Sequence, residues 1–436
     1  MMKAPVNLSR VTIKKISLFL ILIGSGSYLH FIGGFTYSRT KLSYNLPGWI
    51  KDQTQETCSA VTNIAFLKTH KCASSAIQNI LFRYGLNHDL LFAIPETGSY
   101  FGGKIPFRDF MVRSTPWFKL GLNIFAMHTK WDQNQVKNVM PKDSVYITIV
   151  REPTALYESL YAFKEMEKVY NQTLDEHVAS SDVNGERLWG LTGYNQMTWD
   201  FGALKSEINN LTFVQEMVEK ADKDFDLVMV AERMEESLIL LSRLLCWNIT
   251  DVLVLKVNAR MSNFKKEVNE KTKGLLRRKL APDYLIYNFF SQKFDKLVER
   301  YGRKRMAEDV SKLRKATENL MAECGFEQRA SQNMTGRNKP WSPQVSGYRS
   351  ESESTVCQQM SLTELPFIDI LRNKQKSLYI KRFGSKGVID RNALPMGAMA
   401  LRGSAYQAER KKLLQESFVH KAQEKIVKEN ITQRDN

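Results

Sequence analysis

The sequence predicts an α/β fold, a central parallel sheet flanked by helices, preceded by one membrane-spanning helix. Three observations predict it. Short apolar, β-branched runs at 63–68, 144–150 and 225–230 are each followed by a stretch with helical spacing, and that alternation builds parallel sheets covered by helices. The first two runs end in polar segments, THKCASS and REP, of the kind that gather ligands at the carboxyl ends of such strands. Residues 16–35 carry no charge, and at 1.5 Å per residue they extend roughly 30 Å, the thickness of a bilayer core.

The N-terminal run comes first. Lys3, Arg10, Lys14 and Lys15 precede it and no acid occurs before Asp52, which places the N-terminus in the cytoplasm and the remainder in a lumen. Gly24, Gly26, Gly33, Gly34 and His30 weaken the span, so a cleaved signal peptide is the competing reading. Against it stand the length of the run and the lack of a small-x-small site at its end. The expected division is a cytoplasmic tail at 1–15, a signal-anchor at 16–36, a polar stem at 37–60, a lumenal domain at 61–365 and a basic, partly disordered tail at 366–436.

Within the domain, a buried strand at 63–68 leads through THKCASS into a helix at 76–84. Pro95, Gly98, Gly102, Gly103, Pro106 and Pro116 mark 95–116 as a long loop, and long ordered loops are often functional. A second strand at 121–127 ends on His128. SVYITIV at 144–150 is a strand of buried type, followed by a turn into a helix at 151–163 with Pro153 near its start. A strand at 225–230, a helix at 235–245, a strand at 252–257 and a helical stretch at 282–322 complete the alternation.

Lys and Arg number 63 against 46 Asp and Glu, a formal charge of +17. That balance attracts anions, although about half of the excess lies in the last 70 or so residues. Five cysteines stand at 58, 72, 246, 324 and 357. A lumen permits disulfides, and an odd count leaves one thiol over, with Cys72 the candidate. There is no C-x-x-C, so no structural zinc site is expected. Sequons at Asn171, Asn210, Asn248, Asn333 and Asn430 agree with lumenal exposure.

Two constellations carry chemistry. Lys68, Thr69, His70, Lys71, Cys72, Ala73, Ser74 and Ser75 leave a strand and open a helix, where free backbone N–H groups and the helix dipole favour an anion. The segment lacks the glycines of a GxxxxGK[ST] loop, so ATP bound in that manner is disfavoured. An ordinary capped helix would also explain it. Arg151 ends the SVYITIV strand and Ser159 lies eight residues on, two turns along the helix and on the same side. An arginine fork with a hydroxyl suits a phosphate dianion; a salt-bridged Arg and a surface Ser are the plainer alternative. Together the pair fits a nucleotide with phosphates at two positions.

The segments IAFLKTHKCASSAIQNILFRYG and ITIVREPTALYESLYAF resemble the donor-binding blocks of the galactose-3-O-sulfotransferase family, and ESLILLSRLLCW and VLVLKVNAR are similar to its later blocks. The resemblance covers roughly 60–360. It implies a P-loop-like sulfotransferase fold and the donor PAPS (3′-phosphoadenylyl sulfate). Lys71 would contact the bridging oxygen and 5′-phosphate. Lys68, Thr69, His70, Ala73, Ser74 and Ser75 would line the cradle, and Arg151 and Ser159 would hold the 3′-phosphate. Thr154, Ala155 and Leu156 stand where many sulfotransferases carry a further basic residue, so one phosphate contact must come from elsewhere or be missing.

Attack on sulfur requires a base, for which histidine is suited near neutral pH. Of His30, His70, His88, His128, His177 and His420, His30 lies in the membrane run and His420 in the tail. His128 ends a strand, the resemblance places a family histidine there, and it is assigned as general base beside Lys71. Lys130 and Asp132 would orient it or the sugar; Asn258 and Arg260 would touch nucleotide or sugar. Trp189, Trp199 and Tyr194 are sugar-stacking or core residues, left unassigned. No metal and no nucleic acid are implied. The expected protein is a single-pass type II Golgi membrane enzyme sulfating the 3-hydroxyl of galactose on a glycolipid such as galactosylceramide, or on a glycan, with a homodimer admitted. Rival readings are a glycosaminoglycan O-sulfotransferase, an inactive nucleotide-binding module and a small-molecule kinase.

Overall fold

The computed structural model describes Gly48 and residues 58–255, 260–261, 267–340 and 342–385. The expected anchor at 16–36 and nearly all of the stem lie outside the described residues. Among the described residues no helix is long and apolar enough to cross a membrane.

The first half of the domain runs β1 (Ile64–Leu67), α1 (Ser74–Asn87), β2 (Phe92–Ala93), β3 (Tyr100–Pro106), β4 (Ile124–Phe125), β5 (His128–Lys130), β6 (Val145–Val150) and α2 (Pro153–Phe163). Short helix α3 (Gln196–Asp200) and α4 (Leu211–Asp224) lead to β7 (Leu227–Val230) and α5 (Met234–Leu245). Two long helices, α6 (Ala281–Tyr301) and α7 (Arg303–Cys324), precede the antiparallel hairpin β8 (Glu327–Ala330) and β9 (Ser346–Arg349), and α8 (Glu364–Phe383) follows.

The main sheet has the order β2-β4-β1-β6-β7 and every pairing is parallel. Its central strands are buried almost throughout, so they read as continuous apolar runs rather than alternating ones. From β1 the chain crosses to β2 and β4 on one side; from β6 it continues to β7 on the other. The connections therefore diverge between β1 and β6, and the crevice outside their carboxyl ends is where open α/β sheets bind ligands.

Three expectations are corrected. The loop at 95–116 contains β3, which pairs in parallel with β5 through Tyr100–His128 and Phe101–Thr129; Gly102 and Gly103 take φ of 75° and 104° inside it, a backbone open to glycine that hid the strand from a count of turn residues. The run at 252–257 forms no strand over its described part. Val252, Leu253 and Leu255 are buried, but the Leu253 carbonyl accepts from the Arg83 guanidinium instead of a ladder partner. The domain does not stop at 365. α8 buries Phe367, Ile368, Leu371 and Tyr379, and Gln375 closes the sheet edge, its Oε1 accepting from Phe92 N at 2.7 Å and its Nε2 donating to Phe92 O at 3.1 Å. That helix was hidden by the polar, basic stretch in its second half, where Arg372, Lys374, Lys376, Lys381 and Arg382 interrupt the apolar residues and make it read as part of the tail.

Two disulfides, Cys58–Cys246 and Cys324–Cys357, leave Cys72 as a buried free thiol, as the odd count led one to expect. The first bond ties the entry of the chain to the end of α5, where Val61 N also donates to Leu245 O and the Trp247 indole to Val61 O.

Candidate active site

The loop between β1 and α1 is shaped by its own side chains. Thr69 Oγ1 donates to Ile149 O at 2.6 Å, pinning the loop to β6, and Ser74 Oγ donates to Thr69 O at 2.6 Å. Lys71 and Ala73 both sit in the left-handed region, at φ 58° and 59°. Such conformations are costly for residues with a Cβ and cluster at functional sites. Left-handed residues of this kind are a component of the backbone concavities that bind anions. α1 begins with no side-chain cap on Ala73 and no acid in its first turn, and of its first N–H groups Ala76 N turns back to Ala73 O at 3.0 Å. The dipole of this 14-residue helix start is therefore not offset by a carboxylate or a capping side chain, and it favours an anion.

Positive charge converges there. Lys71 Nζ lies 3.6 Å from the centre of the Phe163 ring at the end of α2. Burial, and then the charges of Arg151, Lys68, Arg260 and Lys164, push its pKa down to about 7. Arg151 Nη1 donates to Lys71 O at 2.8 Å, which joins the two strand-end loops across the switch point. Ser159 is half-buried along α2. Its neighbour Glu158 pairs with Arg260, which bridges to Val345 beside β9. Glu152 caps α2 by accepting from Ala155 N at 2.6 Å, and Pro153 occupies its first turn. The Arg151-to-Ser159 spacing therefore reflects a true helix start.

A second cluster lies beside the cradle. Lys68 is buried and does not point into the anion loop. Its Nζ stands 2.6 Å from His128 Nε2 and donates to Glu364 Oε2 at 3.2 Å. His128 Nδ1 is 3.1 Å from Lys68 O, so Nδ1 carries the proton and Nε2 accepts from the lysine. Burial, then the charges of Lys68 and His70, hold His128 well below the usual histidine range. Burial also lowers Lys68, against the opposing pull of Glu364. The His128 ring has His70 4.4 Å away and Tyr100 4.7 Å away and 11° from parallel, and those two rings are themselves only 6.0 Å apart. His70 receives a fixed orientation from buried Asp200, which accepts from its backbone N at 2.7 Å and from Nδ1 at 2.8 Å. Its Nε2 faces the Tyr100 hydroxyl at 3.1 Å.

The structure thus brings together Lys68, His70, Lys71, His128 and Arg151, with Thr69 and Ser74 as framework, Ala73 as the exposed helix cap and Ser75 at the edge of a shallow cavity that Glu364 also lines. Lys130 packs on Trp199, 3.4 Å from its ring centre, with Arg187 4.5 Å from that ring; Trp199 is a core residue, not a sugar platform. Tyr194 stacks on Tyr157 in the core. Asp132 accepts from Gln135 N and Arg108, away from the imidazole. Asn258 lies outside the described residues. Sequence reasoning missed Tyr100, Asp200, Glu364 and Lys164. Only Lys164 left a local signal, as a cation five residues after Ser159. The others reach the site from 30, 130 and 296 positions away from their partners. Among the described residues no cluster of His, Cys, Asp and Glu could hold a metal ion.

A concentration of positive charge at the switch point of a parallel sheet, with a neutral histidine held by a buried lysine beside it, is an arrangement suited to an anionic ligand and to proton transfer. Comparison specifies the class. The family model for galactose-3-O-sulfotransferase matches residues 1–375. Among similar proteins are mouse galactose-3-O-sulfotransferase 3, 29% identical over 351 residues (75% of this chain and 81% of that one). Human galactosylceramide sulfotransferase is 29% identical over 333 residues, 71% of this chain and 78% of that one. Mouse galactose-3-O-sulfotransferase 2 is 30% identical over 291 residues, 63% and 72% of the two chains. The chain belongs to the galactose-3-O-sulfotransferase family, and so is a sulfotransferase acting on galactose.

Proposed function

We propose that this protein transfers the sulfuryl group of PAPS to the 3-hydroxyl of a terminal β-galactose on a glycolipid or glycan, as a single-pass type II protein of the Golgi membrane. The observation that carries the reading is the join between the two strand-end loops. Lys71, at a depressed pKa, lies in the loop that leads into an uncapped helix start, and Arg151 is bonded to the same loop. A site this rich in positive charge gains most from a polyanion, and each of the two loops would take one phosphate of a nucleotide phosphorylated at its 5′ and 3′ positions. The P-loop-like character of the fold and the anchor at 16–36 belong to the same proposal.

In the reaction, galactose O3 forms a bond to sulfur while the bond from sulfur to the bridging phosphate oxygen breaks. The hydroxyl proton passes to His128 Nε2, and the leaving electron pair departs on adenosine 3′,5′-bisphosphate, held at Lys71, the helix start and Arg151. His128 is neutral and therefore competent as a base. Its lone pair is engaged by Lys68 Nζ, so Lys68 must release Nε2 as the acceptor arrives, and the sulfuryl oxygens are the charge that draws it off.

The test is transfer of labelled sulfate from PAPS by the full-length detergent-purified protein to galactosylceramide, lactose-type oligosaccharides and desulfated heparan in parallel. Label on O3 of galactose is expected. Label on heparan alone would give the glycosaminoglycan reading, and bisphosphate binding without any transfer would leave an inactive module.

A further inference from the structure

The donor cradle and the Lys68–His128 pair leave two features unused. Tyr100 is 38% exposed although one face of its ring lies flat on His128, so its other face is turned outward, directly over the base. Glu364 gives Oε2 to Lys68, but its Oε1 is a buried oxygen with no hydrogen-bond partner, and it borders the cavity that Ser75 lines at the start of α1. Both side chains border the same imidazole: Tyr100 lies 4.7 Å from the His128 ring, and Glu364 holds the lysine whose Nζ stands 2.6 Å from His128 Nε2. An open aromatic face and an orphaned carboxylate oxygen are what a neutral sugar requires: the apolar C–H face of a hexose lies on a ring, and its hydroxyls need fixed acceptors. A buried acceptor without a partner is costly, and a sugar O–H would satisfy it.

We infer that Tyr100 and Glu364 form the subsite for the acceptor galactose, with the sugar stacked on the outer face of Tyr100 and a hydroxyl flanking the attacked one donating to Glu364 Oε1. The inference rests on the sulfotransferase reading and adds which side chains select the sugar. Both residues come from elements that lack the donor motifs, β3 and α8, so acceptor choice is built separately from donor binding.

Full-length protein and its Tyr100→Phe, Tyr100→Ala and Glu364→Ala variants would be assayed with methyl β-galactoside and its 2-deoxy, 4-deoxy and 6-deoxy analogues. Tyr100→Ala is expected to raise the acceptor KM by about tenfold or more, with the dissociation constant of adenosine 3′,5′-bisphosphate unchanged, and Tyr100→Phe is expected to restore it. One deoxy analogue should carry a KM penalty in the parent protein that disappears in Glu364→Ala. Saturation-transfer NMR of methyl β-galactoside reports the same contacts without turnover, so failure of the sulfotransferase reading and failure of the subsite are separable. An acceptor KM and a saturation-transfer signal unaltered in Tyr100→Ala and Glu364→Ala would overturn the inference. So would an equal loss of bisphosphate binding in either variant.

Discussion

Lys71 shows how one residue can couple charge to binding. Free, its pKa is about 7 because burial and four neighbouring cations disfavour the ammonium. A phosphate in the cradle reverses that balance and draws the pKa upward. Binding then takes up a proton above pH 7. The bisphosphate dissociation constant should be nearly flat from pH 6.5 to 7 and rise toward tenfold per unit between pH 7.5 and 9. Lys71→Arg, whose charge persists throughout, should flatten the profile, and Lys71→Ala should abolish turnover in a folded protein. A flat profile in the parent would remove Lys71 from the donor site. His128 gives a second prediction of opposite sense. Its pKa lies well below the usual range, so its protonation cannot inhibit until well under pH 6.5, and kcat should stay level from pH 8 down to 6. Lys68→Met removes one of the cations that depress it and should move an acid limb up toward pH 6.5; His128→Ala should lose kcat with bisphosphate affinity retained. An acid limb already at pH 6.5 in the parent would contradict the buried neutral imidazole.

At the scale of elements, the donor loops were legible because they are local. A β-branched strand, a polar turn and a helix start lie within about twelve residues in each case, and the physics of helix starts acts over that span. What was not legible is what distant elements bring: Asp200 from α3 to His70, Tyr100 from a glycine-bent strand, Glu364 from α8. No periodicity in the chain announces that Asp200 will meet His70 across 130 positions. Cysteine arithmetic fell between these cases. An odd count required a free thiol, and position in the cradle suggested Cys72, but only packing shows why it is inert. Cys72 is fully buried, and desolvation raises its pKa, so little thiolate forms. Iodoacetamide at pH 8 should leave the native protein unlabelled and add one adduct after unfolding without reductant, read by intact mass. Rapid native labelling at Cys72 would show an open cradle loop.

Across the whole molecule, the late part of the chain completes what the early part begins. The sheet ends at β2, a strand of two residues whose outer backbone groups would otherwise be exposed. Gln375 pairs with both Phe92 groups as a neighbouring strand would, and Arg372 donates to the carbonyls of Pro95 and Gly98 at 3.1 and 2.7 Å. The same helix buries Phe367 against Phe82 of α1, with ring centres 5.3 Å apart, and begins with Glu364 on Lys68. Stability and chemistry therefore depend on one element that a reading of charge assigned to the tail. Ending the chain after Thr363 should lower the thermal midpoint by more than about 10 °C, because it uncovers several buried side chains worth about 2–5 kcal/mol each on truncation. Gln375→Ala separates the two roles: it should lower the midpoint by a few degrees while leaving acceptor KM and bisphosphate affinity unaltered, since the amide touches only the sheet edge. A chain lacking α8 that melts at the parent temperature would show that the sheet is complete without it.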